Sequence, residues 1–263
     1  MRVSSAFRPN RWVALLTDFG LQDPYVAVMK AVILQQAPEA RFVDITHEVA
    51  PQNVLQGAWM LKRVVRFFPS GTVFVAVVDP GVGTGRRNLV LLTPEFAFVG
   101  PDNGLFTWVA HHQGTQAFAV PTPPQASATF HGRDVYAPVA ARLLTGPVPD
   151  PSWQPLDPTS RVQLAVPPVT VRGNRARAVI LFFDRFGNAI TNVEREAWPD
   201  LCVEAVRIDG RWVPLHRTYA DVAPGEPLAL WGSFGELEIS VREGNAQNLL
   251  GLRPLQPIEL ILC

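Results

Sequence analysis

The chain has 263 residues, 48% of them apolar, enough for a sizeable core in one large domain or two ordinary ones. Basic and acidic side chains number 23 each and the isoelectric point is near 7.0, so no bulk charge draws the protein to a nucleic-acid backbone or an anionic membrane. A small-molecule partner is therefore the default, and the scarcity of lysine, with only Lys30 and Lys62, carries no functional argument.

The apolar run Trp12 to Leu16 predicts a buried strand that ends in the polar loop TDFG. Pro24 suits a first helical turn, and Tyr25, Val28, Met29, Val32 and Ile33 recur at helical spacing as far as Pro38. Arg41 to Ile45 predicts a second strand, THEVAPQ a loop, and Asn53 to Phe68 an amphipathic helix stopped by Pro69. Val73 to Val78 is almost wholly apolar, as a parallel strand covered on both faces would be. Shorter apolar runs at Leu89 to Leu92 and Phe96 to Val99, then a helix from Arg133 to Leu144, complete an N-terminal α/β domain with a mainly parallel sheet, over residues 1–165.

Prolines crowd the stretch Gly146 to Gly173, which reads as an extended segment crossing between domains. Beyond it, strands are predicted at Ala178 to Phe183, Ala189 to Val193, Val203 to Ile208, Leu228 to Trp231, Leu237 to Val241 and Ile258 to Leu262. Residues 166–263 are thus expected to form a smaller, all-β, barrel-like domain.

Cys202 and Cys263 offer no metal spacing and no disulfide framework, and each reads as a structural thiol in a reducing compartment. Met1 to Arg11 lacks the apolar core of a signal peptide, and no run reaches the ~20 apolar residues that span a bilayer. A cytoplasmic location is expected.

In an open α/β sheet, ligands collect outside the carboxyl ends of the strands. The first strand delivers Asp18, the second Asp44 and His47, and the third Asp79, with Arg86 seven positions later. Singly, each acid reads equally as a turn or cap residue; together they mark a site. GVGTGR, Gly81 to Arg86, lacks both the third glycine of a dinucleotide fingerprint and the GK[ST] ending of a P-loop, so its glycines read as a sharp turn that lets Asp79 and Arg86 face one cavity. PDNG at Pro101 to Gly104, FHGRD at Phe130 to Asp134 and DRFGNAITN at Asp184 to Asn192 are the other dense polar motifs. The last reads either as a hairpin turn or as an aromatic platform with amide donors for a flat heteroaromatic ring.

Taken in order, LLTDFGLQDPYV, VDITHEVAPQNV, VVDPGVGTGRR, PDNGL, FHGRD, DRFGNAITN and GSFGELEISV resemble the S-adenosyl-L-methionine (SAM) hydrolase family, also called SAM hydroxide adenosyltransferases and labelled domain of unknown function 62. The resemblance implies hydrolysis of SAM to adenosine and L-methionine by attack of water or hydroxide on ribose C5′. It implies no cofactor and no metal, SAM being the substrate. It also implies a homotrimer, with the C-terminal domain of one subunit completing the nucleoside site of its neighbour. The related fluorinating and chlorinating enzymes carry Tyr where this chain has Asp79 and Tyr where it has His131, and the fluorinating type adds a small hydroxyl residue where Gly132 stands.

On this resemblance Asp79, Arg86 and His131 are the catalytic set. Asp18 takes the ribose hydroxyls and Gln52 lines the ribose side, beside Phe130. Asp184 meets the substrate ammonium, Phe186 packs on adenine, and Asn188 bonds its edge. Ser233, Asn245 and Ala246 complete the methionine and adenine ends. Phe234 stands where the fluorinating enzymes carry an arginine, and Asn53, where the family motif commonly has an acid, reads as a helix cap. A SAM-dependent halogenase and a non-catalytic adenosine- or SAM-binding protein are the alternatives.

Overall fold

The computed structural model describes residues 7–109 and 114–263, so most of the stretch read for a leader lies outside the described residues. The chain divides into two compact units, one ending at Leu164 and the other running from Ala165 to Cys263.

The first unit contains β1 (Trp12–Thr17), α1 (Tyr25–Gln36), β2 (Arg41–Thr46), α2 (Val54–Val65), β3 (Val73–Val77), β4 (Asn88–Leu92), β5 (Ala97–Pro101), β6 (Gln116–Val120), α3 (Ala137–Thr145) and β7 (Gln154–Leu156). They form one sheet in the order β2-β1-β3-β5-β4-β6-β7. The pairs β1 with β2, β1 with β3 and β3 with β5 are parallel, whereas β4 with β5, β4 with β6 and β6 with β7 are antiparallel. The sheet is therefore mixed, not mainly parallel as the sequence suggested. Between β4 and β5 lies only the turn Thr93 to Phe96, where the Thr93 amide donates to the Phe96 carbonyl and the Phe96 amide donates to the Thr93 hydroxyl. A parallel connection needs a dozen or more residues, so this link can only make a hairpin.

Burial on both faces accounts for the unbroken apolar strands. Val13, Leu15, Val73, Val75 and Val77 pack with Met29 and Ile33 of α1 and Val139 and Leu143 of α3. Ala14, Leu16, Phe74, Ala76 and Val78 face the other way, toward Ala58 and Leu61 of α2. Fully burying a side chain of the size of Leu15 or Phe74 stabilises the fold by about 2 kcal/mol. Asn53 caps α2 as expected, its side chain accepting from the Gln56 amide at 3.0 Å. The proline-rich stretch is not only a crossing segment: it buries Trp153 and adds β7 at the sheet edge, where Pro155 leaves no interior ladder bond unmade.

The second unit contains β8 (Thr170–Arg172), β9 (Arg175–Phe183), β10 (Ala189–Glu194), β11 (Val203–Ile208), β12 (Arg211–Pro214), β13 (Pro227–Trp231), β14 (Glu236–Val241), α4 (Ala246–Leu250) and β15 (Pro257–Leu262). The antiparallel order is β12-β11-β15-β9-β10-β14-β13, with β8 beside β9. After β12, Leu215 bridges to Ala229 and the His216 amide donates to the Ala229 carbonyl at 2.8 Å, so the sheet curls into a nearly closed, barrel-like form.

Cys202 and Cys263 are joined in a disulfide, which corrects the reading of two separate thiols. Val203 pairs with Leu262 in the β11–β15 ladder, and that register brings the flanking cysteines to a Cα separation of 5.5 Å. At a sequence separation of 61, nothing local in the sequence announced the pairing.

Candidate active site

Strand β3 runs out at Val77, and the chain then makes the turn that holds Asp79. The Val82 amide bonds back to the Asp79 carbonyl at 3.3 Å, and Thr84 bonds to the Gly81 carbonyl through both its amide and its hydroxyl. Gly83 has φ +77°, and a Cβ there would stand 2.4 Å from the Ala128 carbonyl oxygen. Only glycine fits both the left-handed backbone and that approach. The turn brings Arg86 back over Asp79, where Nε donates to Oδ1 at 2.8 Å and Nη2 bonds Oδ2, a two-pronged pair whose side chains are only 5% and 9% exposed.

Nη2 of Arg86 also lies 3.0 Å from Nδ1 of His131. A guanidinium has only donors, so Nδ1 must be the accepting nitrogen and the ring proton sits on Nε2. Burial, reinforced by the Arg86 charge, lowers the His131 pKa, against the opposing pull of Asp79 and Asp134. His131 is thus a neutral ring with a fixed tautomer and an Nε2–H available to a ligand. The guanidinium of Arg86 is occupied: Nη1 donates to Asn88 Oδ1 at 2.7 Å, and Nε and Nη2 serve Asp79 and His131.

Two supporting residues escaped the sequence reading. Asn88, at the start of β4, accepts from Arg86 and, at 3.1 Å, from the Tyr136 hydroxyl, while its amide donates to the Val120 carbonyl and to Thr122 Oγ1. Tyr136 is fully buried and burial raises its phenol pKa, so it remains a proton donor. It belongs to a π-helical turn, Gly132–Tyr136, that begins immediately after His131 and leads into α3. Such wide turns recur at functional sites, but no residue pattern in FHGRD announces one. The PDNG motif is supporting structure too: Asn103 Nδ2 donates to the Val78 carbonyl at 2.8 Å, next to Asp79, and buried Asp102 accepts from Arg87 and from the Val162 amide.

The other predicted residues of this unit lie at the same sheet edge. Thr17 pairs with Val77, so Asp18 follows β1 alongside the end of β3. Asp18 Oδ2 accepts from the Gln52 amide at 2.8 Å, holding Gln52 at φ +65°, a left-handed conformation that costs a non-glycine residue about 1 kcal/mol or more. Phe130 meets Phe19 and Tyr25 in an edge-on aromatic cluster, with centroids 5.9 and 5.1 Å away.

In the second unit, Phe186, Asn188 and Asn245 line a cavity of about 610 Å³ with Tyr219, Val241, Glu243 and Gly244. Phe186 is 74% exposed, unusual for a large apolar ring and suited to covering a flat ligand. Asp184 is engaged by its own turn, accepting from the Phe186 and Asn188 amides at 2.9 Å and from Asn188 Nδ2 at 3.0 Å. Asn245 caps α4 by accepting from the Asn248 amide, and Ala246 is buried behind it. Ser233 is exposed in the turn between β13 and β14 and is not part of the cavity lining, nor is Phe234. Tyr219 was not singled out from sequence, since it sits in a short 3-10 turn with no periodic pattern.

Comparison with known proteins bears on the same two units. The SAM hydroxide adenosyltransferase N-terminal domain matches residues 13–151 and the corresponding C-terminal domain matches residues 178–259. The chain is 41% identical to a protein of Thermus thermophilus named (R)-S-adenosyl-L-methionine hydrolase, with 95% of this chain and all of that one covered. It is 38% identical to a protein of the same name from Salinispora tropica, covering 94% and 96%. A fluorinase from an Actinoplanes species is more distant, at 28% identity over 88% and 91% of the two chains. Among solved structures, an uncharacterized conserved protein from Thermotoga maritima superposes with a TM-score of 0.85 at 35% identity, covering 95% of this chain and 99% of that one. With both of its units matched and its relatives covered from end to end, the chain belongs to the SAM hydroxide adenosyltransferase family.

Proposed function

We propose that the protein hydrolyses SAM to adenosine and L-methionine, and the observation that carries this is the buried Asp79–Arg86–His131 cluster. A carboxylate beside the line of attack repels a halide by several kcal/mol in a poorly screened pocket, but accepts a hydrogen bond from water. The curated relatives at 33–41% identity carry the hydrolase name, while the fluorinases stand at 26–28%.

In the proposed reaction Asp79 accepts one proton of the attacking water and His131 Nε2–H steadies its oxygen. The water oxygen bonds to C5′ as the C5′–sulfur bond breaks, and the electron pair of that bond goes to sulfur. Methionine leaves as a neutral thioether, so no general acid is needed, and the surplus proton passes to Asp79 and on to solvent. Arg86, with its donors already committed, acts by holding Asp79 in place and His131 in its tautomer. Alignment of water, C5′ and sulfur supplies most of the rate.

Asp18 and Gln52 would hold the ribose beside Phe130; Phe186, Asn188 and Asn245 would hold adenine, with Asp184, Ser233 and Ala246 around the methionine and adenine ends. We read the first unit as an α/β catalytic domain over residues 1–165 and residues 166–263 as the domain that completes the site of a neighbouring subunit in a homotrimer. No cofactor or metal takes part in this scheme. The cytoplasm remains the proposed compartment, on the substrate class alone, because the Cys202–Cys263 bond removes the cysteine argument for it. Among the described residues, no helix is long and apolar enough to cross a membrane.

Incubating the pure protein with SAM and separating the products by chromatography tests the proposal. Adenosine and methionine are expected; 5′-halo-5′-deoxyadenosine in chloride or fluoride would favour a halogenase, and tight adenosine binding without turnover a non-catalytic binder.

A further inference from the structure

Strand β2 and the loop after it carry two titratable side chains, Asp44 and His47, for which the chemistry above has no use. Asp44 is partly exposed, but His47 is not. The β1–β2 ladder slips by one residue at its end, Leu15 pairing with Asp44 but Leu16 with Thr46, and such bulges re-aim the side chains that follow. His47 is thereby buried, its Nδ1 2.9 Å from the hydroxyl of fully buried Thr17 and its Nε2 3.1 Å from Asp44 Oδ1. Lys30 of α1 closes the chain, Nζ to Asp44 Oδ2 at 2.6 Å. Burial works against the Asp44 charge, but the bonds from Lys30 and His47 outweigh it and hold the carboxyl below its ordinary pKa.

The Thr17 hydroxyl and His47 Nδ1 share a hydrogen bond, and Nε2 faces the Asp44 carboxylate. Thr17 Oγ1 also accepts from the Phe19 amide at 3.2 Å. The His47 carbonyl accepts from the Gly20 amide at 2.7 Å. Both flanks of the TDFG loop are thus tied to His47, one through Thr17 and one through the backbone, with Asp18 between them. The Phe19 ring continues the contact to Phe130, the neighbour of His131.

We propose that His47 is a positioning residue: through Thr17 it sets the loop that presents Asp18 to the ribose hydroxyls of the nucleoside. The proposal rests on the reading of Asp18 given above. A purely structural role would weaken binding of any nucleoside alike, whereas positioning of Asp18 acts only on ligands that carry ribose hydroxyls.

Calorimetric binding of adenosine and 2′,3′-dideoxyadenosine to the full chain separates the two. Wild type is expected to favour adenosine by about tenfold or more, and Asp18→Ala to abolish the preference. Thr17→Val, which keeps the shape but loses the hydroxyl, should bring the preference close to that of Asp18→Ala while leaving 2′,3′-dideoxyadenosine affinity within about twofold. Thr17→Ser should restore it. With SAM as substrate, Thr17→Val should raise KM by a larger factor than it lowers kcat. If Thr17→Val does not fold, His47→Gln reads the same ratio. An unchanged preference in Thr17→Val or His47→Gln, with wild type discriminating, overturns the positioning role alone. Absence of any preference in wild type overturns the Asp18 reading and this proposal with it.

Discussion

Arg86 Nη2 lies 3.0 Å from Nδ1 of His131, 45 residues further along the chain, while its other donors grip Asp79 and Asn88. One guanidinium therefore holds the carboxylate in place and fixes the tautomer of the imidazole together. Arg86→Lys keeps the positive charge but loses the fork. Its kcat for SAM cleavage should fall by about 10²-fold or more, close to the loss in Asp79→Ala, with the double variant no worse than the poorer single one. Additive losses in a steady-state assay would show that the residues act independently.

The His131 pKa is lowered from its ordinary 6.5, so the folded protein holds fewer protons on this ring than the unfolded chain just below that pH. The stability it contributes is complete above pH 6.5 and is lost as pH falls through the folded value. The kcat/KM profile should accordingly show an acid limb centred below pH 6.5, and His131→Asn should remove that limb. An acid limb centred above 6.5 would contradict the assignment.

Asn88 is the common acceptor of Arg86 and the buried Tyr136 hydroxyl. Asn88→Ala would leave both donors buried without it, at about 2–3 kcal/mol. Denaturant unfolding should show that loss, and turnover should drop by roughly tenfold or more as Arg86 relaxes. Asn88→Asp, which keeps the acceptor but competes with Asp79 for the same cation, should unfold later than Asn88→Ala yet turn over no faster.

Gly83 combines φ +77° with a Cβ position 2.4 Å from the Ala128 carbonyl, whereas Gly85 has open space around it. Gly83→Ala should destabilise by about 2 kcal/mol or more and cut activity, and Gly85→Ala should do little to either. Equal effects at the two positions, measured by thermal unfolding, would mean that the close approach at Gly83 is not what shapes the turn.

The Cys202–Cys263 bond closes a loop of 61 residues, which in the chain-entropy account constrains the unfolded state by about 4 kcal/mol. Reduction, or Cys202→Ser, should lower the melting temperature while leaving SAM turnover of the folded protein unchanged. A melting temperature indifferent to reductant would show that the bond does not limit stability.

Much of the fold was legible because local physics wrote it. WVALL and VFVAVV are unbroken apolar runs since both faces of β1 and β3 are covered, and Asn53 stands where α2 needs a cap. By contrast β6, β7, β8 and β12 are short and carry no decisive pattern, and the hairpin of β4 with β5 is a question of partner choice that apolar runs do not encode.

The same division runs through the site. The sequence pointed to Asp79 and Arg86 because they follow an apolar strand, and the order of the motifs added His131 through resemblance to a known family. It could not say that Arg86 spends its donors on Asp79, His131 and Asn88 at once, that Asn103 braces the backbone beside Asp79, or that His47 reaches Thr17. Nor could it pair Cys202 with Cys263, which only the register of β11 on β15 brings together. Residue type and local order determine which chemistry is available; distances between groups tens of residues apart are set by strand order and packing, and those decide which donor meets which acceptor.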